Sequence, residues 1–475
     1  MTRAPHPNLT DQISAELLGD TSFCADLGIR YPYLGGSMAK GISSVELSVA
    51  LGKAGMLGFF GAAGLPIDAV EAAIDQLTAS NVPFGCNLIH SPQEPDLEAA
   101  LAELYIRKQV TLVEASAFLS LTLPLVRYRL HGIYRTSDGS IVTPNRIIAK
   151  VSREELAEKF FSPAPEKLIA SLVQEGLITP EQAELAKLVP MAQDITAEAD
   201  SGGHTDNRPA LTLLPTIQSV ALRMQQQYRY PMQLRVGLGG GIGTPQAAAA
   251  AFSMGAAWIM VGSVHQACVE SGTSDAVRRM LAETRQADVT MAPAADMFEM
   301  GVTVQVLKRG TMFAMRGSKL YELYRSCASL EEIPRTEREK LEKTLFLATL
   351  EQIWQQTRSF FLQRDPRQAE RAERDPKHRM ALVFRWYLGQ AAHWAKDGTP
   401  NRVVDYQVWC GPAMGSFNEW VKGSFLEQPT NRRAACVAHN ILEGAAVISR
   451  SNLLRFTGSD TTNLQSKPEI KEYPA

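Results

Sequence analysis

Eight short apolar runs alternate with stretches of helical period along the chain as far as residue 263. They are YLGGSM from residue 33, MLGFFG from 56, PFGCNLI from 83, VTLVEAS from 110, RIIAKVS from 146, DITAEA from 194, QLRVGLGG from 233 and AWIMVGS from 257. Runs this short, apolar on both faces, are what parallel strands covered on both sides require. The stretches between them carry helix signals, as in SSVELSVALGKAG from residue 43, with a Ser cap and a Gly stop, and TPQAAAAAFSMGA from 244, with Pro just inside the start. Eight such alternations predict an α/β fold, a (β/α)8 TIM barrel rather than an open doubly wound sheet.

The spacing assigns a barrel to residues 31–290, preceded by an N-terminal extension over 1–30, with insertions at about 118–145 and 152–192. The first insertion contains YRTSDGSIVT, a hairpin turning at Asp138-Gly139, and the second contains two helical patterns. After about residue 290 the strand signals fade. Residues 291–460 read as a mainly helical domain, punctuated by Asp365-Pro366 and Asp375-Pro376, and 461–475 as a polar tail expected to fray.

Composition narrows the partners. With 48 Lys+Arg against 50 Asp+Glu the 475-residue chain has no net field to draw it to nucleic acid or to an anionic membrane. Six scattered cysteines form no CxxC pair and read as reduced, mostly buried thiols. The first sixteen residues lack a signal-peptide core, and no segment approaches the roughly 18 apolar residues of a membrane span. The expectation is a cytoplasmic protein.

In a barrel the carboxyl ends of the strands form the active face. Here they present Gly35, Gly36 and Ser37, then Gly61 and Gly64, Asn87, Glu114, Lys150, Asp200 to His204, Gly239 to Gly241, and Gly262 with Ser263. The glycine run GLGGGIGTP, opening a helix, predicts a phosphate site at strands seven and eight, completed by Gly262 and Ser263. A Rossmann fingerprint fails by register, since G-x-G-x-x-G started at Gly237 or Gly239 meets Ile242 or Thr244. Asn87 reads equally as a ligand or a turn former, and period two sets Cys86 on the opposite face. Lys150 closes an apolar run and so needs an anionic partner, either a flavin carrying negative charge or a salt bridge. His204 has no second metal ligand at useful spacing; it follows Ser201, Gly202 and Gly203, whose small size leaves the backbone open to a ligand, and it titrates near neutrality. The methionines at 291, 297, 300, 312 and 315 read as core rather than as an acyl channel, and RDPRQAERAERDPKHR from 364 as a solvated face, with carrier-protein docking as the sharper alternative.

These motifs resemble the PfaD family, trans-acting enoyl reductases of polyunsaturated fatty acid and polyketide synthases, relatives of nitronate monooxygenase and of FMN-dependent enoyl-acyl-carrier-protein reductases. The resemblance runs through LGGSMAKGISS, AKVSREELAEKFFSPAP, EADSGGHTD, GLGGGIGTP, APAADMFEMGVTVQVLKRGT and DYQVWCGPAMGSFNEWVKGS. It implies FMN, with its phosphate on Gly240, Gly241, Gly262 and Ser263, its ring near Ser37, Met38, Asn87 and Lys150, and Ser201, Gly202, Gly203 and Gly239 also in the cofactor site. His204 would lie over the ring as the catalytic group. The implied reaction passes hydride from NADPH or NADH through FMN N5 to an enoyl thioester on an acyl carrier protein of the synthase, and the resemblance allows a homodimer. The alternatives are a nitronate monooxygenase using FMN and oxygen, and a scaffold that docks the synthase without catalysis.

Overall fold

In the computed structural model, residues 13–92, 94–458 and 468–473 are described; the extreme N-terminus used in the signal-peptide reading, and most of the expected tail, lie outside them. The strands are β1 (Tyr33–Gly35), β2 (Leu57–Phe60), β3 (Phe84–Ile89), β4 (Leu112–Ser116), β5 (Tyr134–Arg135), β6 (Ile141–Val142), β7 (Arg146–Val151), β8 (Asp194–Glu198), β9 (Gly203–His204), β10 (Arg235–Gly239), β11 (Ile259–Val261), β12 (Val289–Pro293) and β13 (Thr303–Leu307). The eight predicted runs become β1, β2, β3, β4, β7, β8, β10 and β11, all parallel and closed into a barrel by β11 pairing with β1.

Period two sorts each strand into an outer set, packed under the helices, and an inner set. At the amino ends the inner set is sealed. Trp258 fills the barrel axis, stacked at 4.1 Å on Phe23 of the helix Thr21–Leu27, and its indole donates to Thr196 Oγ1 at 3.1 Å. Gly237 sits beside it because a Cβ there would lie 2.3 Å from the indole ring; this glycine makes room for a plug and is not part of a phosphate loop. Below, Arg235 Nε donates to Asp194 Oδ1 at 2.7 Å with both groups buried. A sealed floor leaves the carboxyl ends as the open face of the barrel interior.

The first insertion holds the helix Leu123–Leu130 and the β5–β6 hairpin turning at Gly139. The second holds three helices, Glu154–Phe161, Glu166–Gln174 and Pro180–Ala186, one more than the pattern predicts. The region after 290 is mainly helical, as expected, although strands precede its helices. It begins with a three-stranded antiparallel sheet ordered β12-β13-β9, so the barrel's own loop supplies one strand. The helices Phe313–Ser326, Leu350–Arg364, Pro366–Arg374 and Pro376–Asp397 then form a body with its own core around Phe298, Phe313, Phe346, Phe384 and Tyr387. Asp365 and Asp375 each cap the helix their proline opens. The helices Ala413–Val421 and Ala434–Phe456 instead return to the barrel and join its hydrophobic core. Gly444 lets the long helix approach the barrel helix Pro245–Ser253 closely, since a Cβ would stand 2.6 Å from Pro245.

Part of the expected frayed tail is docked. Lys471 donates its amide to Asn440 Oδ1 at 2.7 Å, Asn440 Nδ2 returns a bond to the Lys471 carbonyl at 2.7 Å, and Tyr473 stacks on His439. All six cysteines are free and buried. Among the described residues no helix is long and apolar enough to cross a membrane.

Because Trp258 is fully enclosed, Trp258→Ala should lower stability by about 3–5 kcal/mol through lost contact and an unfilled cavity. Urea unfolding checks this, and a loss under about 1 kcal/mol would show that the floor collapses to fill the space.

Candidate active site

At the carboxyl ends the inner set of the barrel turns polar: Asn87, Glu114, Lys150 and Glu198, with Gly239 and Gly262 leaving gaps between them. Lys150 Nζ stands 3.0 Å from Glu114 Oε1 and 3.2 Å from Glu198 Oε1. Burial opposes its charge, but the two carboxylates outweigh burial and hold the ammonium above its ordinary pKa. The anionic partner that the sequence demands is therefore a pair of protein carboxylates. Glu114 is fully buried, and its second oxygen accepts the Ser37 amide at 2.7 Å, which fixes the loop after β1. The Asn87 amide donates to Ser116 Oγ at 2.7 Å and to the Glu114 carbonyl at 3.2 Å, so Asn87 is a strand residue of the site wall and not a turn former. Cys86 packs outward into the core under the helices.

Above this layer lies a cavity of about 690 Å³, within the range of pockets for small ligands and cofactors. Ser37, Met38, Asn87, Lys150, Ser201, Gly202, Gly203, His204, Gly239, Gly240, Gly241, Gly262 and Ser263 all line it. The loop after β10 differs from the expected helix-terminus site. The helix Pro245–Ser253 is capped by its own Thr244, whose hydroxyl accepts the Ala247 amide at 3.2 Å. Gly240 and Gly241 lie upstream of that cap in left-handed conformations, φ 84° and 75°, so any anion would meet loop amides. A Cβ at Gly241 or Gly262 would meet nothing within 4 Å, whereas one at Gly240 would strike the Ala199 backbone at 2.6 Å. Ser263 is partly engaged, its hydroxyl accepting the Gly411 amide at 3.0 Å. Glycine loops open at Gly241 and Gly262 leave room for an anionic group, such as the phosphate of FMN, to reach loop amides.

His204 is placed by pairing and not by an open turn. Gly203 and His204 form β9 against Gln305 and Val304 of β13, and Gln305 Nε2 donates to Asp200 Oδ1 and to the Ser201 carbonyl, both at 2.7 Å. Gly202 approaches the Cys410 backbone so closely that a Cβ would lie 2.9 Å from it. The imidazole Nε2 lies 3.2 Å from Asp296 Oδ1, carried by the loop between β12 and β13. Burial alone would depress His204, but Asp296 and, secondarily, Glu198 outweigh it, so its pKa lies above the usual imidazole value. Partial burial would raise the Asp296 carboxyl, but His204 outweighs it and holds the carboxyl below its ordinary value.

Asp296, Glu198 and Gln305 have no assigned role in the sequence reading of the site. The Asp-Met-Phe segment around Asp296 is visible there only as part of a resemblance. Segments after the barrel complete the wall through Leu388, Gly389, Gln407, Trp409 and Gly411. Of the five methionines read as core, Met297 alone is fully buried, and it lines the cavity; Met291 is half-buried, while Met300, Met312 and Met315 are exposed.

The family described as nitronate monooxygenase matches residues 22–316, and the inserted helical domain of [acyl-carrier-protein] S-malonyltransferase matches 327–406. The chain is 51% identical over 447 residues to a polypeptide of the polyunsaturated fatty acid synthase of Thraustochytrium sp. (strain ATCC 26185 / S-3), covering 92% of this chain and 30% of that protein. It is 43% identical over 465 residues to the polyketide biosynthesis protein PksE of Bacillus subtilis (strain 168), covering 97% of this chain and 60% of PksE. The crystal structure of the enoyl reductase domain of MlnA, from the macrolactin biosynthesis cluster of Bacillus amyloliquefaciens, superposes with a TM-score of 0.87 at 40% identity, covering 93% of this chain and 98% of that one. The chain thus spans less than two thirds of the length of these two curated relatives.

Two outcomes follow from the charges. The raised imidazole favours the folded state fully below its unfolded pKa of about 6.5 and loses that contribution as pH rises through the folded value; Asp296 contributes above about 3.9 and loses it as pH falls. Asp296→Asn should therefore destabilise the protein most between about pH 4 and pH 6.5 and move the His204 titration midpoint down, as followed by NMR of the imidazole. An unmoved midpoint would remove Asp296 as the controlling charge. Lys150→Met leaves Glu114 and Glu198 facing each other without a cation and should cost about 3–5 kcal/mol near neutral pH, an amount that shrinks in acid as the carboxyls protonate. Equal losses at about pH 7 and about pH 4.5 in denaturant titrations would contradict it.

Proposed function

The chain belongs to the nitronate monooxygenase family, and we propose that it is an FMN-dependent enoyl reductase acting in trans on enoyl thioesters that an acyl carrier protein presents during polyketide or polyunsaturated fatty acid synthesis. The observation that carries this reading is the imidazole of His204, biased toward its protonated form by Asp296, in the same cavity as the glycine cradle. An acid poised in that state suits a reduction that must deliver a proton to carbon. The likeness to an enoyl reductase domain over nearly that domain's whole length supports it, as do relatives named for polyunsaturated fatty acid and polyketide biosynthesis.

FMN, when bound, supplies hydride transfer between NADPH or NADH and the β-carbon of a 2-enoyl thioester. Gly240, Gly241, Gly262 and Ser263 would hold its phosphate through loop amides, and Lys150, with Ser37, Met38 and Asn87, would face its ring. His204 either gives the α-carbon its proton or hydrogen-bonds the thioester oxygen as negative charge builds there. The walls contributed by Trp409 and Leu388 would exclude water from the alkene.

His204→Ala should retain bound flavin and lose about 100-fold or more in enoyl reduction; a wild-type rate would remove the imidazole from the mechanism. Gly241→Asp should expel the flavin, because its carboxylate would occupy the open space beside the loop amides, and a protein that stayed yellow would place the phosphate elsewhere. The decisive measurement is the visible spectrum followed anaerobically, bleached by NADPH and restored by a crotonyl thioester. The family match gives a second reading, nitronate oxidation. In that case an alkyl nitronate would bleach the protein with no NADPH present.

A further inference from the structure

Lys40 plays no part in the proposed chemistry, yet it is a half-buried cation lining the same cavity. Its backbone is held left-handed at φ 58°, with its amide bonded to the Ala63 carbonyl at 2.7 Å, and its stem passes Gly64. The ammonium crosses from the barrel to the helical body, donating to the Gly389 carbonyl at 2.9 Å on the helix Pro376–Asp397. Gly389 leaves room there, because an added Cβ would meet nothing within 4 Å.

The contrast with Lys150 is the informative point. Lys150 has two carboxylates, whereas among the described residues none lies within ion-pairing distance of Lys40. Its charged surroundings are mostly of its own sign: Lys396 and Arg364, with Asp397 the weaker counterweight. Arg364 also lines the cavity and is engaged by Glu94 at 3.0 Å, so that carboxylate is already taken. Burial first, then these like charges, push the Lys40 ammonium down to about 7, and burial with Lys40 pushes His393 to about 4, leaving it neutral. A half-buried ammonium bonded to one carbonyl has no counter-charge beside it, and a bound anion would supply one.

We propose that Lys40 is the centre of a phosphate-ester subsite at the mouth of the cavity, between the first strand-to-helix loop and the helix Pro376–Asp397, filled by the phosphate of a phosphopantetheine arm or by the 2′-phosphate of NADPH. The choice of ligands rests on the enoyl reductase reading. A phosphate held at this seam would anchor a long thioester or a nicotinamide cofactor while leaving its reactive end free to reach toward Lys150 and His204.

The test is equilibrium binding to the full chain by calorimetry, with no turnover required, comparing phosphopantetheine with pantetheine and NADPH with NADH. The wild type should prefer the phosphorylated member of one pair at least tenfold; Lys40→Met should abolish that preference, and Lys40→Arg should restore most of it. The pair that responds identifies the source of the phosphate. No preference in the wild type for either pair, or a preference that survives in Lys40→Met, overturns the proposal. Phosphate discrimination without any enoyl reduction would sink the reductase reading and leave this subsite standing.

Discussion

The site depends on an ammonium held between two carboxylates at the open end of a barrel whose floor is sealed. Lys150, Glu114 and Glu198 come from three adjacent strands, and their mutual attraction sets the charge and geometry of the mouth before any ligand arrives. Such a triad repays its desolvation only through close geometry and hydrogen bonds on the remaining lone pairs. The contacts of 3.0 and 3.2 Å meet the first need, and the Ser37 amide on Glu114 meets part of the second. The two carboxylates outnumber the ammonium, which explains why Glu198 also favours the protonated form of His204.

Around that centre the second body of the chain completes what the barrel begins. The His204 loop would be an ordinary connection if β13 did not pair with it and Gln305 did not hold Asp200 and Ser201 in place. The charge state of the imidazole is then set by Asp296, 92 residues further along. Barrel and appended segments therefore share His204: the barrel loop carries it, while β13 fixes its backbone and Asp296 raises its proton affinity.

The barrel is legible in the sequence because parallel strands covered on both sides must be short and apolar, and because polar or glycine residues at their ends have few other uses. Asn87, Lys150, His204 and the glycines of the β10 and β11 loops are reachable by that logic. Asp296 is not, since it meets His204 only through an antiparallel pairing across distant segments, and β9 is two residues long with no strand signature. The helix Ala434–Phe456 shows the same limit: its apolar residues announce a covered surface without saying that the barrel covers it. Thr244 reads as the opening of a phosphate-binding helix, yet its own hydroxyl takes one of that helix's free amides, that of Ala247.

The chain leaves the barrel after β11, builds the helical body, and comes back so that Gly411 bonds Ser263 and the Cys410 backbone lies against Gly202. The helices between are consequently a loop in the topological sense, an excursion whose two ends are pinned at the same rim. A unit attached in that way can be exchanged or resized without breaking barrel closure, in keeping with the match of residues 327–406 to a domain inserted in a malonyltransferase. Its two ends are tied to the rim that carries His204, through β13 on one side and the Gly411 bond to Ser263 on the other.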